Sequence, residues 1–244
     1  MDREKQLREL TKRLQQAAGS NLLCTILYGS AASDEFHEGF SDLNVLCVLR
    51  DASGDGLSKL SPAVAWWVKQ KNPPPVVLAA GELARDAEIF PIEMLDIQRR
   101  HRLLSGEDVI ARLQIRTGLH RIQLEHELRS KLQLLRQRYA AIASDQRRVV
   151  DLMANSISGF VALFRHALLA TGTEPPSDRE HMIRALARRA GFDETGFHHV
   201  FQLRRHEKRP QDIHAHVTFS GYVAAVEKVT EMVSALPYPR DLGS

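Results

Sequence analysis

LLCTILYGSAASDEFHEGFSDLNVLCVL, residues Leu22 to Leu49, is the stretch whose reading decides the fold of this chain. It opens as an apolar run, Leu22 to Tyr28, and breaks at Gly29-Ser30. The following AASDEFHEGF keeps no period and is rich in acid, so it reads as a loop, with Phe36 and Phe40 as its anchors. An apolar run resumes from Leu43 to Leu49, with Asp42 and Asn44 at its entrance. Short runs of Leu, Val, Ile and Cys bounded by turn residues are strands. Residues two apart on a strand point to one face, so Asp42 and Asn44 would stand together beside the Gly-Ser turn. Backbone N–H donors, a hydroxyl and a carboxylate at one place can hold a phosphate chain and a divalent cation.

Working outward, Asp2 to Ala18 has Leu7, Leu10, Leu14 and Ala17 on one stripe and Gly19 as its stop, the pattern of an amphipathic helix. The second strand is apolar on both faces, as in a sheet covered on two sides. Ser61 and Pro62 predict the start of a helix running to about Lys69, with one of Trp66 and Trp67 packed on the sheet. Val76 to Ala79 is a short strand and Gly81 to Ala87 a short helix. IFPIEMLDIQ, Ile89 to Gln98, is expected as a third central strand bearing Glu93 and Asp96. On a strand those two face opposite sides, so one of them at most points into the site, and the alternation favours Glu93. The competing reading begins a helix at about Glu93 and leaves Asp96 in solvent. A basic cluster, Arg99 to Arg102, follows and could bind a triphosphate or lie on a charged helical surface.

From Ile110 the period changes from two to 3.6. Leu113, Leu119, Leu124, Leu128, Leu132 and Leu135 predict one long helix from about Val109 to Ile142. The second, from about Asp145 to Ala170, is apolar on most sides and is expected at the centre of a bundle. Ser177 with Glu180 predicts a capping box for a third helix ending at Gly191, and two more helices follow, from about Thr195 to Arg205 and from about Ile213 to Leu236. Short connections of this kind indicate an antiparallel bundle.

The stretch from Gly29 to Asn44 resembles the signature of the DNA polymerase beta-like nucleotidyltransferase superfamily. There an apolar strand ends in Gly-Ser, and Asp-x-Asp or Asp-x-Glu opens the next strand. Gly29, Ser30 and Asp42 match; Asn44 stands where the family has its second acidic metal ligand. The resemblance implies Mg²⁺ as cofactor, held by Asp42, Asn44 and a third carboxylate from Glu93 or Asp96. It also implies ATP or another nucleoside triphosphate, bound by Gly29, Ser30 and Arg99. FPIEMLDIQRRHRLLSGEDV is similar to a segment of bacterial nucleotidyltransferase-fold proteins, which puts the domains at 1–108 and 109–236, with a tail at 237–244. A sheet domain followed by a bundle resembles the plan of the aminoglycoside nucleotidyltransferases, in which the bundle supplies a glutamate base. Glu125 and Glu127 are the candidates, set against a charged stripe with Arg121 and Arg129. Arg121 and His126 have the spacing of the helical ribonuclease-type HEPN domains, but Ile122 stands where that motif is polar.

The expected fold class is therefore α+β followed by an all-α antiparallel bundle. The formal net charge of +3 is mild and points to no polyanionic partner. No continuous apolar run approaches the roughly 20 residues of a bilayer span, and the charged amino terminus is no signal peptide, so a cytoplasmic protein is expected. Cys24 and Cys47 read as buried thiols rather than a disulfide or metal pair. No Gly-rich Walker or Rossmann loop is present. Two functions are compatible with these residues. One is metal-dependent nucleotidyl transfer to a hydroxyl of a small molecule or protein. The other is a catalytically inactive member of the fold, serving as a nucleotide sensor or a toxin–antitoxin type component. A homodimer through the long helix is open to either.

Overall fold

The computed structural model describes residues 2–32, 43–115 and 118–237. Its first elements follow from a burial period of two. Strands β1 (Leu22–Tyr28), β2 (Asn44–Leu49), β3 (Val76–Ala79) and β4 (His101–Gly106) form one sheet in the order β3-β2-β1-β4. β1 is antiparallel to β2 and β4, while β2 runs parallel to β3 through helix α2 (Gly54–Lys69). One sheet face sets Leu27, Val45, Cys47 and Leu49 against Leu7, Leu10 and Leu14 of α1 (Arg3–Ala18) and Leu60, Ala63 and Trp67 of α2. The other packs Cys24, Ile26, Leu46 and Val48 against Leu83 and Ala87 of α3 (Leu83–Ile89) and Met94 and Ile97 of α4 (Pro91–Arg99). A sheet buried on both sides explains why β1 and β2 read as continuous apolar runs. Trp67 is the tryptophan in the core, its Nε1 donating to the Pro73 carbonyl at 2.8 Å. Trp66 instead stacks under the Arg13 guanidinium, 4.7 Å from its ring centre.

Three expectations for the first unit need correction. Ile89 to Gln98 is not a strand: α3 ends and α4 begins within it. Pro91 sits at the first helical position with Glu93 in the first turn, both helix-start signals. Ile92, Met94 and Ile97 lie buried on the sheet rather than inserted in it. The strand beside β1 is β4, HRLLSG, which holds no carboxylate. α2 begins at Gly54, capped by the Ser53 hydroxyl, and Pro62 lies inside it rather than starting it. The long helix expected from Val109 begins at His120, because Ile110 is drawn into the sheet core. Gln98 Nε2 donates to the carbonyls of Ile110 and Leu113 at 2.9 and 2.8 Å, which fastens the intervening segment to α4.

The chain falls into two compact units, Met1–Thr117 and Gly118–Ser244. The second consists of α5 (His120–Ile142), α6 (Gln146–Ala170), α7 (Arg179–Ala190), α8 (Thr195–Arg204) and α9 (Ala215–Ser234). α6 is its centre and packs on each of the other four. Its apolar surface, long enough by length and composition for a membrane span, is used in this core, where Met153, Ile157 and Phe164 are fully buried. Phe197 and Tyr222 stack at 4.5 Å against the Phe160 and Phe164 rings. α7 is capped by Asp178, not by the expected Ser177, and ends on Gly191 in the left-handed conformation.

Candidate active site

The turn after β1 is a single 3-10 turn, Gly29–Ala32, entered by Gly29 at φ +77°. The Gly29 N–H donates to the Arg100 carbonyl at 3.0 Å, so the turn is tied to the junction of α4 and β4. That donor is committed to the junction rather than to a ligand. Asn44 opens β2 directly across from Tyr28, and His101 opens β4 on Tyr28's other side. Directly opposed residues share a face, so Asn44, Tyr28 and His101 form a row at one end of the sheet. The Asn44 Nδ2 would stand 3.5 Å from a Cβ placed on Gly29, which sets the amide beside the turn. On the other flank the Ala31 carbonyl accepts from the Arg3 guanidinium.

The remaining candidates are distributed as follows. Asp42, the match to the first family carboxylate, lies outside the described residues, as does the Ser30 side chain. Glu93 is exposed in the first turn of α4. Asp96 accepts from the Arg100 guanidinium at 3.3 Å, one turn on. Because 93 to 99 is helical, residues three apart lie on one side: Glu93 and Asp96 are neighbours rather than opposed. Arg99 is exposed at the last position of α4. Among the described residues no three of His, Cys, Asp and Glu come together as metal ligands.

A solved structure similar to this one is spectinomycin adenyltransferase AAD(9) from Enterococcus faecialis, with ATP and spectinomycin. The match has a TM-score of 0.59 at 14% identity and covers 96% of this chain and 100% of that one. The fold is that of a nucleotidyltransferase. No protein-family model matches the sequence, and no curated protein matches it. The nucleotidyltransferase-type fold here is thus reached from the arrangement of its sheet and helices, with the Gly29 turn at its head.

Two clusters in the helical unit are structural. Arg121 is buried, and its Nε and Nη2 donate to the Val233 and Ser234 carbonyls at 3.0 and 2.6 Å, capping the end of α9. Glu125 accepts from Arg129 and from the Ser234 hydroxyl at 2.9 and 2.8 Å, and lies 3.3 Å from Arg121. Burial opposes its ionisation, but the Ser234 and Arg129 hydrogen bonds outweigh burial and hold the carboxyl below its ordinary range. A carboxylate so held is a poor proton acceptor. Glu127 lies 3.9 Å from Lys131, and His126 points to solvent away from the Arg121 clamp. The basic run at 204–209 is paired within the unit: Arg205 with Glu180 and Glu207, Arg209 with Asp212. Sequence reasoning missed His101. Its Nε2 lies 3.0 Å from Asp108 Oδ2 and its Nδ1 2.9 Å from the Gln98 carbonyl. A histidine between two helices' worth of charged residues gave no sign of that bridge.

Proposed function

We propose that the chain transfers a nucleotidyl group from a nucleoside triphosphate to the hydroxyl of a small-molecule acceptor. The observation that carries this is the fold match, which spans the sheet unit and the helical unit together and all of a chain solved with a nucleotide and its acceptor. In this reading the Ser30 and Ala31 N–H groups and the Ser30 hydroxyl bind the terminal phosphates. The acceptor oxygen bonds to the α-phosphorus as the bond to the bridging oxygen breaks, pyrophosphate leaves, and the hydroxyl proton passes to solvent or a base. Glu125 is not that base, being held ionised by two arginines.

The Asn44 amide stands beside the turn with its nitrogen toward Gly29; its carbonyl oxygen and the Asp42 carboxylate of the sequence motif are of the oxygen type that Mg²⁺ takes. When bound, Mg²⁺ would supply charge stabilisation on the phosphoryl oxygens. Asn44 itself would orient the phosphate side of the turn, and it brings no negative charge there. The same neutrality favours a second reading, a nucleotide-binding member of the fold without turnover. Incubating the protein with ATP or GTP, Mg²⁺ and a panel of hydroxylated acceptors, aminocyclitols first, separates the two. Pyrophosphate release that depends on acceptor supports transfer; nucleotide binding with no release supports the second reading. Absence of both overturns the assignment.

A further inference from the structure

The junction between α4 and β4 is closed by a ring of hydrogen bonds that the expected chemistry does not require. His101 is 11% exposed, and both its ring nitrogens face acceptors: the Gln98 carbonyl at 2.9 Å and the Asp108 carboxylate at 3.0 and 3.2 Å. Asp108 also accepts from the Ala111 N–H at 3.0 Å, and Gln98 donates to the Ile110 and Leu113 carbonyls. The end of α4 is thereby tied to the 108–113 segment on both sides of β4. Between Gln98 and His101 stands Arg100, whose carbonyl receives the Gly29 N–H at 3.0 Å and whose guanidinium reaches Asp96. Gly29 is the first residue of the turn, next to Ser30.

We propose that His101 is a positioning residue for the Gly29-Ser30 turn: the His101 bridge between Gln98 and Asp108 holds the Arg100 carbonyl where it fixes the Gly29 N–H. The physical reason is local. Arg100 leaves the helix at φ −136°, ψ 75°, so its carbonyl direction is not set by the α4 ladder. The Tyr28–His101 pairing of β1 with β4 restrains it on one side, and the imidazole, bonded back to the Gln98 carbonyl, restrains it on the other. Asp96, through the Arg100 guanidinium, is a further restraint on the same residue. The inference deepens the proposed function and rests on it only where nucleotide affinity is read.

The test compares the whole protein with His101→Ala and His101→Gln, the second able to donate to one of the two acceptors. Amide hydrogen exchange at Gly29, followed by NMR, is the readout independent of ligand. His101→Ala should speed Gly29 exchange about three- to tenfold, the worth of one hydrogen bond, with the β2 amides at Val45 to Val48 unchanged. His101→Gln should recover part of the protection. Unchanged exchange at Gly29, or an equal rise across β1 and β2, overturns the positioning role. Should His101→Ala fail to fold, the same comparison is made on His101→Gln alone, where a rise confined to Gly29 is expected. ATP affinity is then measured on each protein with Mg²⁺. A weaker affinity in step with Gly29 exchange supports the link from junction to phosphate turn. A wild-type protein that binds no ATP overturns the transferase reading, while leaving the exchange result to decide the role of His101.

Discussion

In the proposed reaction Asn44 is the residue that sets the charge at the turn. It stands at the head of β2 with its amide beside Gly29, and it carries no charge. Replacing it by aspartate adds a full negative charge where the proposed reaction would hold its cation. Asn44→Asp should therefore tighten Mg²⁺ binding in the presence of ATP by at least about tenfold. Calorimetric titration of Mg²⁺ into the ATP-saturated variant checks it; equal affinity would mean the side chain does not face the cation. Cys24 and Cys47 sit on adjacent strands but point to opposite faces, and both are free. Burial pushes their thiols from 9.0 up to about 11 and about 12. Below pH 9 both states keep the protons and stability is untouched. Above it the unfolded chain ionises while the folded one does not, so stability falls as pH rises toward those values. The urea midpoint should drop between pH 8 and pH 10, and less so in a Cys24→Ala, Cys47→Ala double variant.

Among the elements, β4 and α9 show how single residues hold an end in place. Gly106, at φ +86°, lies where a Cβ would stand 2.0 Å from the Leu23 carbonyl oxygen and 2.8 Å from the Cys24 Cα. Both neighbours are backbone and cannot swing aside. Gly106→Ala should cost about 2–4 kcal/mol by urea denaturation, through strain and a shift of β4 away from β1. A loss below about 0.5 kcal/mol would place Gly106 elsewhere. At the end of α9, Arg121→Ala should cost about 1–3 kcal/mol, since it removes a buried donor from the Val233 and Ser234 carbonyls and one of the two cations beside Glu125. The depressed Glu125 contributes stability that is present above its ordinary value of 4.5 and lost as pH falls through its lower folded value. Acid unfolding of wild type should thus steepen below about pH 4, and Glu125→Gln should flatten that limb.

The elements also show where pattern sufficed. β1, β2 and the break after β1 were legible because a two-sided sheet writes itself as apolar runs. The helices of the second unit were legible from their 3.6 period. α4 was not: IFPIEMLDIQ is short and apolar, and a run of that length fits a strand or a buried helix equally until its packing is known. Pro91 and Glu93 carried the start signal that its apolar content masked. HRLLSG holds the end of the basic cluster and gave no strand reading, because an edge strand needs only one well-packed side.

For the molecule as a whole, the two units have separate cores, and the match to a nucleotide-bound enzyme extends over both. A ligand that binds only the folded chain must raise its melting temperature. With Mg²⁺ and ATP at about a hundred times Kd, linkage gives about 2.7 kcal/mol and a rise of about 5–10 °C for a chain of this size. Scanning fluorimetry with ATP alone, Mg²⁺ alone and both checks it. A rise with ATP alone equal to that with both would favour nucleotide binding without a cation.

The sequence by itself determined the apolar runs that make a sheet, the break at Gly29-Ser30, and the helical period of the second unit, since each is a local spacing along the chain. What only the tertiary structure decided is which distant groups meet. Arg100 comes to Gly29 and Arg121 to the end of α9 through chain crossings that no spacing encodes. Those contacts follow from burying two faces of one sheet and one helix in a bundle, which brings polar chain ends together at the rims where their hydrogen bonds must be met.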